Sequence, residues 1–540
     1  MTNENPELKK QQSISAAEHP KAWDPQVMIL GLPLAVVGCI IGLELIVRTG
    51  VTPNTSIIGA LFAILLSRIP VAFLRKYRSI HRQNLLQTSI SAATFSAANC
   101  MILPIGIPVI MGYPELMFPM LIGVMLATCV DATILYNCFG SEMFPAEGAW
   151  PPGVAAADSI LAVIEKGKKA VLLLVGIGLG WVGKIAGLPM DLLGVSWFGD
   201  FGAMAALAAG SLVIGVLKVN GFSFSIFGHA FNFVTNAFGE GFVYTDHLSL
   251  QYMAHGVMIG AGIISLVQCG IALFKKSKGT KAVDTTNVVS NEHMKKTLGV
   301  GFGAYLVIAL FLAVVGGIIT KMSVPQFILW LIFAAFAAEA SELIVGISAM
   351  YSGWFPGFAT ALIFLIVGML LGFPKLALGL LVGFTAATGP CFSDMAYDLK
   401  CGYILRGSGA NPELEKEGRK QQFLAELMGF AVAFVMVAFF ANKYFGQGLF
   451  VAVSNTFVAT IDAGASGEIA KWLLIWAIPG AIIQLLGGKR QLGILFATGL
   501  LVGNIINGLT IAAGLIIRLI AVRANKENEQ TLNILGAGAL

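Results

Sequence analysis

Residues 385–407 of the chain read TAATGPCFSDMAYDLKCGYILRG, and residues 418–429 read GRKQQFLAELMG. The first stretch begins with small and apolar residues typical of a closely packed helix, and Gly389-Pro390 interrupts it. Two aspartates and a lysine follow within seven residues, and a basic Arg-Lys-Gln-Gln segment precedes the next apolar run. The stretch therefore predicts a helix that is broken at membrane depth, which is tolerated only against protein or a water-filled cavity.

The composition of the whole chain places this stretch in a membrane protein. Of 540 residues, 57% are hydrophobic and only 12% are charged, and the mean hydropathy is +0.82. Soluble domains carry roughly 25% charged residues. Apolar runs recur from Val27 to Ile520, each long enough to cross a hydrocarbon core of about 30 Å. We expect an all-α, polytopic bundle of about 14 to 16 transmembrane helices, several of them broken or re-entrant.

Basic loops set the expected topology and divide the chain. The segment RKYRSIHR (Arg75–Arg82) is rich in arginine and lysine, so the positive-inside rule places it, and the N-terminus, in the cytoplasm. A weak echo links it to the second half, because each basic loop leads through Gln-Asn or Gln-Gln into a small-residue helix. The predicted divisions are a cytoplasmic N-terminal tail (1–26), a first transmembrane half (27–274), a cytoplasmic linker (275–297), a second half (298–520) and a cytoplasmic C-terminal tail (521–540).

Three further segments depart from regular apolar helix. Pro104 and Pro108 interrupt the third apolar segment, as a break or as a simple proline kink. Trp150-Pro151-Pro152-Gly153 predicts a non-helical start to a re-entrant segment carrying Asp158, or else an interfacial loop with a tryptophan anchor. The polar, aromatic stretch from Gly221 carries His229, Asn232 and Asn236, which a helix would place on one face.

Acidic residues inside apolar segments are the candidate proton carriers. Leaving a carboxylate in lipid costs several kcal/mol, so such residues face the bundle interior and are functional candidates. A low-dielectric bundle favours the neutral form of a carboxyl group, which allows it to bind and release a proton. The candidates are Glu339, Glu342, Asp131, Asp158 and Glu426.

Broken segments and nearby polar side chains are the candidates for substrate binding or gating. On a helix, Asp394 and Asp398 share one face and repel when both are ionised, whereas Lys400 and Tyr403 share another face. The alternative is a solvated juxtamembrane helix, and for each buried amide the alternative is helix–helix hydrogen bonding. The full set is Gln87, Asn99, Pro151, Gly153, Tyr351, Asp394, Asp398, Lys400, Tyr403, Asn504 and Asn507.

Several of these motifs resemble one known family. Asp398–Leu405 (DLKCGYIL), with Arg419–Gln422 soon after, is similar to a segment of the oligopeptide transporter (OPT) family, which includes the yellow-stripe-like transporters. The stretches Asn84–Thr88 (NLLQT) and Trp150–Ile160 (WPPGVAAADSI) resemble two other family motifs, and Gln491–Arg518 is compatible with its closing helix. The resemblance suggests the prokaryotic branch, about sixteen helices in two related halves, and proton-coupled uptake of oligopeptides or metal chelates.

The chain departs from that family pattern at two places. Residues 407–417 (GSGANPELEKE) are inserted before Gly418-Arg419, and Pro152 stands where the family signature has serine. Both departures leave the substrate class open between small peptides and metal chelates. The role expected for the 385–429 stretch is gating or coupling at the cytoplasmic side.

Other function classes lack their motifs. The chain contains no GxxxxGK[ST] loop that would bind ATP and no HExxH or GxSxG cluster of an intramembrane enzyme. A channel would explain broken helices but not paired acids. We therefore expect a non-enzymatic symporter in the plasma (inner) membrane, with a small substrate, protons and lipid as its partners. The sequence indicates no cofactor, metal or nucleic acid, and it leaves a homodimer open beside a monomer.

Overall fold

A computed structural model describes most of the chain. The described residues are 6–49, 55, 59, 77–165, 168–218, 222–226, 229–233, 242–274, 289–353, 355–464, 467–490, 492–502, 504–526 and 528–539. Three parts of the predicted chain lie outside these residues: the apolar segment 57–74 apart from Gly59, expected to be a span, most of the linker (275–288), and Asn236.

The described residues form a helical membrane protein, which confirms the predicted fold class. Ten helices are long and apolar enough to cross a membrane, and four shorter apolar helices of 10–17 residues accompany them. The α-helices are Pro6–Gln12, Pro25–Thr49, Ile80–Phe95, Leu103–Ile110, Met117–Cys138, Pro151–Glu165, Lys168–Ile185, Met190–Phe198, Phe201–Lys218, Leu248–Gln251, Met253–Phe274, Asn291–Val315, Val324–Ser352, Gly357–Leu370, Lys375–Ala387, Pro390–Leu405, Pro412–Gly446, Ala452–Ala463, Gly467–Gly487, Leu492–Val502, Ile505–Ala524 and Asn528–Ala539.

The chain forms two compact units that interleave along the sequence. The first unit comprises residues 1–148, 270–347 and 360–464, and the second comprises 149–269, 348–359 and 465–540. Each unit takes residues from both predicted transmembrane halves. The relation of those halves as repeats stays a prediction.

A helix of small and polar residues, Ile80–Phe95, lies at the centre of the first unit. All its residues except Arg82 are buried. It packs against the helices Pro25–Thr49 and Pro412–Gly446, and glycines permit the close approach. A Cβ atom at Gly429 would lie 2.7 Å from the Cβ of Ala92 and 2.8 Å from the Ser89 carbonyl oxygen. Contacts this short are available only where side chains are absent or small, as in other tightly packed membrane bundles.

The disturbance predicted at Pro104 and Pro108 takes a different form in the structure. The helix continues without a break from Ile80 to Ile110, but Ser96–Ile102 forms a wider, π-helical turn just before Pro104. Proline has no N–H to donate and its ring crowds the carbonyl four residues earlier, so the preceding turn widens. Asn99 lies in this turn and is buried. The segment is thus a continuous helix with a local bulge.

The break at Gly389-Pro390 is present. The helix Lys375–Ala387 ends, Gly389 adopts φ +80°, and a new helix begins at Pro390. Proline at the first position of a helix loses no hydrogen bond, because that N–H has no partner within the helix. We call Pro390–Leu405 the broken helix and Pro412–Gly446 the gateway helix. Every residue of the broken helix except Ile404 is buried, so the alternative of a solvated juxtamembrane helix is wrong.

In the second unit, the WPPG segment begins a helix, contrary to the prediction that it could not be helical. Trp150 has φ 37° and is fully buried, and the helix Pro151–Glu165 starts immediately after it. Prolines are accepted in a first turn because its N–H groups have no partners within the helix. An exposed tryptophan anchor at this position is therefore also wrong.

The polar aromatic stretch after Gly221 is a hairpin and not a helix. Phe222–Ile226 pairs antiparallel with His229–Phe233, with Ser223 opposite Asn232. Alternation of phenylalanine with serine in Phe-Ser-Phe-Ser has the period of two that suits a strand. The helix on which His229 and Asn232 were predicted to share a face is therefore absent at these two residues.

Candidate functional site

Two acids meet at the start of the broken helix in the first unit. Asp131, on the helix Met117–Cys138, accepts a hydrogen bond from the Phe392 backbone N–H at 2.8 Å. Its carboxyl group also lies close to that of Glu342, and the Tyr305 hydroxyl donates to Glu342 at 2.6 Å. All three side chains are buried. Asp131 thus caps the N-terminus of the broken helix from another helix, because the N-cap residue Gly389 has no side chain.

The contact between these acids requires a proton. Asp131 Oδ1 and Glu342 Oε1 are buried and receive no hydrogen bond from any described residue. Two ionised carboxylates in contact repel, whereas a proton held by one of them donates to the other. Burial of such a pair between two helices therefore favours the form in which one of the two carboxyl groups is neutral.

The broken helix carries a buried acid of its own, Asp394, two residues after Phe392. Asp394 accepts hydrogen bonds from Thr55 at 2.9 Å and from Ser91 at 3.1 and 3.2 Å. Ser91 belongs to the central small-residue helix, and its hydroxyl lies 3.1 Å from that of Thr55. Two hydroxyl groups from other parts of the chain thus surround one buried carboxylate.

Asp398, the second acid on the broken helix, joins that helix to the gateway helix. Its carboxylate accepts from the Gln87 amide and contacts the buried carboxyl of Glu426. The Gln422 amide donates to the Asp398 backbone oxygen at 2.6 Å and to the Thr88 hydroxyl at 3.2 Å. The predicted residues Gln87, Asp398 and Glu426 therefore belong to one cluster.

An ion pair that the sequence did not indicate closes the far end of the broken helix. Arg406 donates to Glu415 through Nε at 2.7 Å and Nη2 at 3.2 Å, and each side chain is only 1% exposed. Arg406 also donates to Gln422 at 2.8 Å, which connects the pair to the Asp398 cluster. Glu415 lies within residues 407–417, which lead from the broken helix to Gly418-Arg419, so this stretch supplies the buried counter-charge. The sequence does not show that the Arg406 side chain is buried, because burial of an arginine depends on a partner such as Glu415 that only the structure identifies.

Lys400 and Tyr403 face the segment that precedes WPPG. Lys400 Nζ donates to the Ala146 carbonyl oxygen at 2.8 Å, and the Tyr403 hydroxyl donates to Glu147 at 2.9 Å. Both side chains are buried to within 6% exposure. Lys400 is thus held by protein oxygen, and a lipid phosphate is not needed to satisfy it.

The N-terminal segment binds beside the Arg406 ion pair. Gln11 accepts a hydrogen bond from the Ile80 N–H at 2.8 Å, and the Ala22 N–H donates to Gln421 at 2.8 Å. His19 is buried, with its ring 5.0 Å from that of His81. Burial first, and then the neighbouring charges of His81, Arg406 and Lys21, lower the pKa of His19 to about 2. Residues 6–24 are therefore part of the packed unit.

The remaining predicted residues are distributed between the units. In the first unit, Glu339 is half-buried one turn before Glu342, and the Asn99 amide donates to the Phe95 carbonyl oxygen at 3.5 Å. Six others belong to the second unit. There Asn504 is exposed and caps its own helix by accepting from the Asn507 N–H at 2.8 Å. These six are Pro151, Gly153, Asp158, Tyr351, Asn504 and Asn507.

Comparison with known proteins agrees with this arrangement. A polytopic helical bundle with buried acids at a broken helix defines the class of membrane transporters. The family model described as OPT oligopeptide transporter protein matches residues 22–273 and 241–540, and the chain belongs to this family. It is therefore a transporter of oligopeptides or related small substrates and not an enzyme. No curated protein gives a significant match.

Proposed function

We propose that the protein is a symporter that takes up small oligopeptides together with protons, by alternating access, across the plasma (inner) membrane. The observation that carries this proposal is the contact of Asp131 with Glu342 at the N-terminus of the broken helix. Membership of the OPT family supports the substrate class. The two predicted halves would move relative to each other as repeats do in other secondary transporters.

The acid pair links proton binding to the backbone through an electrostatic effect. Asp131 accepts from the Phe392 N–H, where the helix dipole favours a negative charge. A proton moving from Glu342 to Asp131 removes that charge from the helix end and weakens the cap. Such interactions are worth about 0.5 to 2 kcal/mol, which shifts a two-state equilibrium by up to about thirtyfold. Proton binding can thus change the population of the broken-helix conformation.

Substrate recognition would use the groups that broken helices leave available. N-terminal ends of half-helices favour anionic groups such as a peptide carboxylate. Metal chelates with carboxylate groups offer the same chemistry, and they are the alternative substrate class. In this arrangement both termini are cytoplasmic, and the buried Arg406–Glu415 pair belongs to the cytoplasmic side.

Uptake into proteoliposomes tests the proposal. Labelled di- to hexapeptides, and separately an iron chelate, are presented with and without an inward-directed pH gradient. We expect accumulation of one substrate class that depends on the gradient and collapses with a protonophore. Accumulation that is indifferent to the gradient would refute proton coupling.

Variants of the acid pair identify the residues involved. Glu342→Gln and Asp131→Asn keep the side-chain shape but remove the titrating group, and we expect both to lose gradient-driven uptake. The matched control is Glu413→Gln, at an exposed position of the gateway helix, which should transport normally. Normal gradient-driven uptake by Glu342→Gln would remove that residue from the mechanism. Glu426→Gln, Glu339→Gln and Asp158→Asn, tested in the same assay, rank the other candidates by their loss of gradient-driven uptake.

A further inference from the structure

The surroundings of Asp394 are unusually rich in oxygen. Four oxygen atoms, namely both carboxylate oxygens of Asp394 and the hydroxyl oxygens of Thr55 and Ser91, form four contacts of 2.9 to 3.2 Å. The two hydroxyl groups supply only two hydrogens between them. Two hydrogens can make only two full hydrogen bonds. At least two of the four oxygen–oxygen contacts are therefore not explained by a hydrogen bond of their own.

A separate observation concerns the neighbouring acid on the gateway helix. Glu426 is 1% exposed, and its Oε1 atom is buried and receives no hydrogen bond from any described residue. Its carboxyl group interacts electrostatically with both Asp398 and Asp394. Within the described residues, no basic side chain is among the groups that act on Asp394 or Glu426. A buried negative cluster of this kind needs protons or a bound cation.

We propose that Asp394, Thr55 and Ser91 bind one Na⁺ ion, and that the buried Glu426 carboxyl, which interacts electrostatically with Asp394, adds to the negative potential there. Carboxylate and hydroxyl oxygens are ligands that hard cations prefer. One carboxylate among the four converging oxygens matches a single positive charge, whereas divalent ions are usually bound by more acidic oxygen sets. The ion would hold the broken helix against the central small-residue helix. The inference deepens the proposed transport function and rests on it only for the role of the ion in coupling.

The test measures ion binding by the full-length protein, without substrate and without transport. The purified protein in lipid nanodiscs is heated at fixed pH and fixed ionic strength while NaCl replaces choline chloride, with KCl as a parallel series. We expect Na⁺ alone to raise the unfolding temperature in a saturable manner. Direct binding of ²²Na⁺ provides a second measurement that does not depend on unfolding.

Variants distinguish this site from general salt effects. Asp394→Asn and Ser91→Ala should each weaken Na⁺ binding about tenfold to a hundredfold, as expected for the loss of one interaction with a charged group. The matched control is Ser89→Ala on the same helix, because the Ser89 hydroxyl donates to the Leu86 carbonyl oxygen and not to the cluster. Ser91→Ala keeps the inference testable if Asp394→Asn does not fold.

Two results would overturn the inference. One is an unfolding temperature of the wild-type protein that is the same in Na⁺, K⁺ and choline; if it still depends on pH, the cluster binds protons alone and proton-coupled uptake is unaffected. The other is ²²Na⁺ binding by folded Asp394→Asn or Ser91→Ala equal to that of the wild type. Conversely, uptake that ignores a pH gradient would refute the proposed coupling without changing the Na⁺ binding result.

Discussion

Removal of Glu415 should destabilise the first unit by about 3 to 5 kcal/mol, the cost of leaving a buried charge without its partner. Glu415 accepts two hydrogen bonds from Arg406, and both side chains are 1% exposed. In Glu415→Ala, Arg406 keeps a neutral partner in Gln422 but has no counter-charge in the pair. Arg419 also contacts Glu415 but is 12% exposed, so its loss adds about 1 kcal/mol or less.

Reversible unfolding in mixed detergent micelles, followed by tryptophan fluorescence, measures this change. A loss of 3 to 5 kcal/mol corresponds to about a hundredfold to several-thousandfold shift in the unfolding equilibrium. The control Glu413→Gln, at an exposed position two residues away, should change stability by about 0.5 kcal/mol or less.

A double variant separates the pair interaction from a local packing defect. In Arg406→Met/Glu415→Leu both charges are replaced by apolar groups, so no charge is left buried alone and most of the stability should return. The two single losses would then be strongly non-additive. A loss below about 1 kcal/mol in Glu415→Ala, or simple addition in the double variant, would refute the reasoning.

Three other outcomes follow from individual contacts. Gly389→Ala should lower the free energy of unfolding by about 1 to 3 kcal/mol and reduce uptake, since Gly389 has φ +80° and the new Cβ would lie 3.1 Å from the Cβ of Val345. Gly372→Ala is the control for backbone strain alone, because Gly372 has φ +76° and open space around it. Tyr305→Phe should lower stability by about 1.5 to 3 kcal/mol, measured by the same unfolding assay, because a buried carboxyl loses its donor at 2.6 Å. His19 has a folded pKa of about 2 against 6.5 when free, so attachment of the N-terminal segment is full above pH 6.5 and weakens as the pH falls. The loss is about 2 kcal/mol near pH 5, detectable as faster proteolysis of residues 6–24, and His19→Gln should reduce that pH dependence, with His81, whose ring contacts the Gln11 backbone oxygen, retaining the rest.

Part of the candidate site could be predicted because its signals are local. Long apolar runs predicted a polytopic helical protein, and a Gly-Pro pair after small residues predicted the break before the broken helix. Acids within those runs, such as Asp131 and Glu342, stood out because lipid excludes them. Local patterns misled where one residue type suits two structures: prolines that start a helix at Pro151, and alternating aromatic residues that form a strand near Phe222.

The partners within the site could not be predicted, because pairing depends on which helix faces lie together. Asp131 meets Glu342, and Asp394 meets Thr55 and Ser91, across helices that are remote in the chain. A serine in an apolar run can donate to a carbonyl oxygen of its own helix, as Ser89 does, or to a carboxylate on another helix. The sequence does not distinguish these two cases.

The sequence by itself determined that this chain lies in a membrane, that a helix breaks at Gly389-Pro390 and that acids such as Asp131 and Glu342 are enclosed. Those properties follow from transfer free energies and backbone chemistry, which act residue by residue. Only the tertiary structure decided that Arg406 is buried against Glu415, and that Asp394 lies against the hydroxyl groups of Thr55 and Ser91. Such pairings arise from close packing between distant elements, where the low dielectric makes each unmatched charge too costly to leave alone.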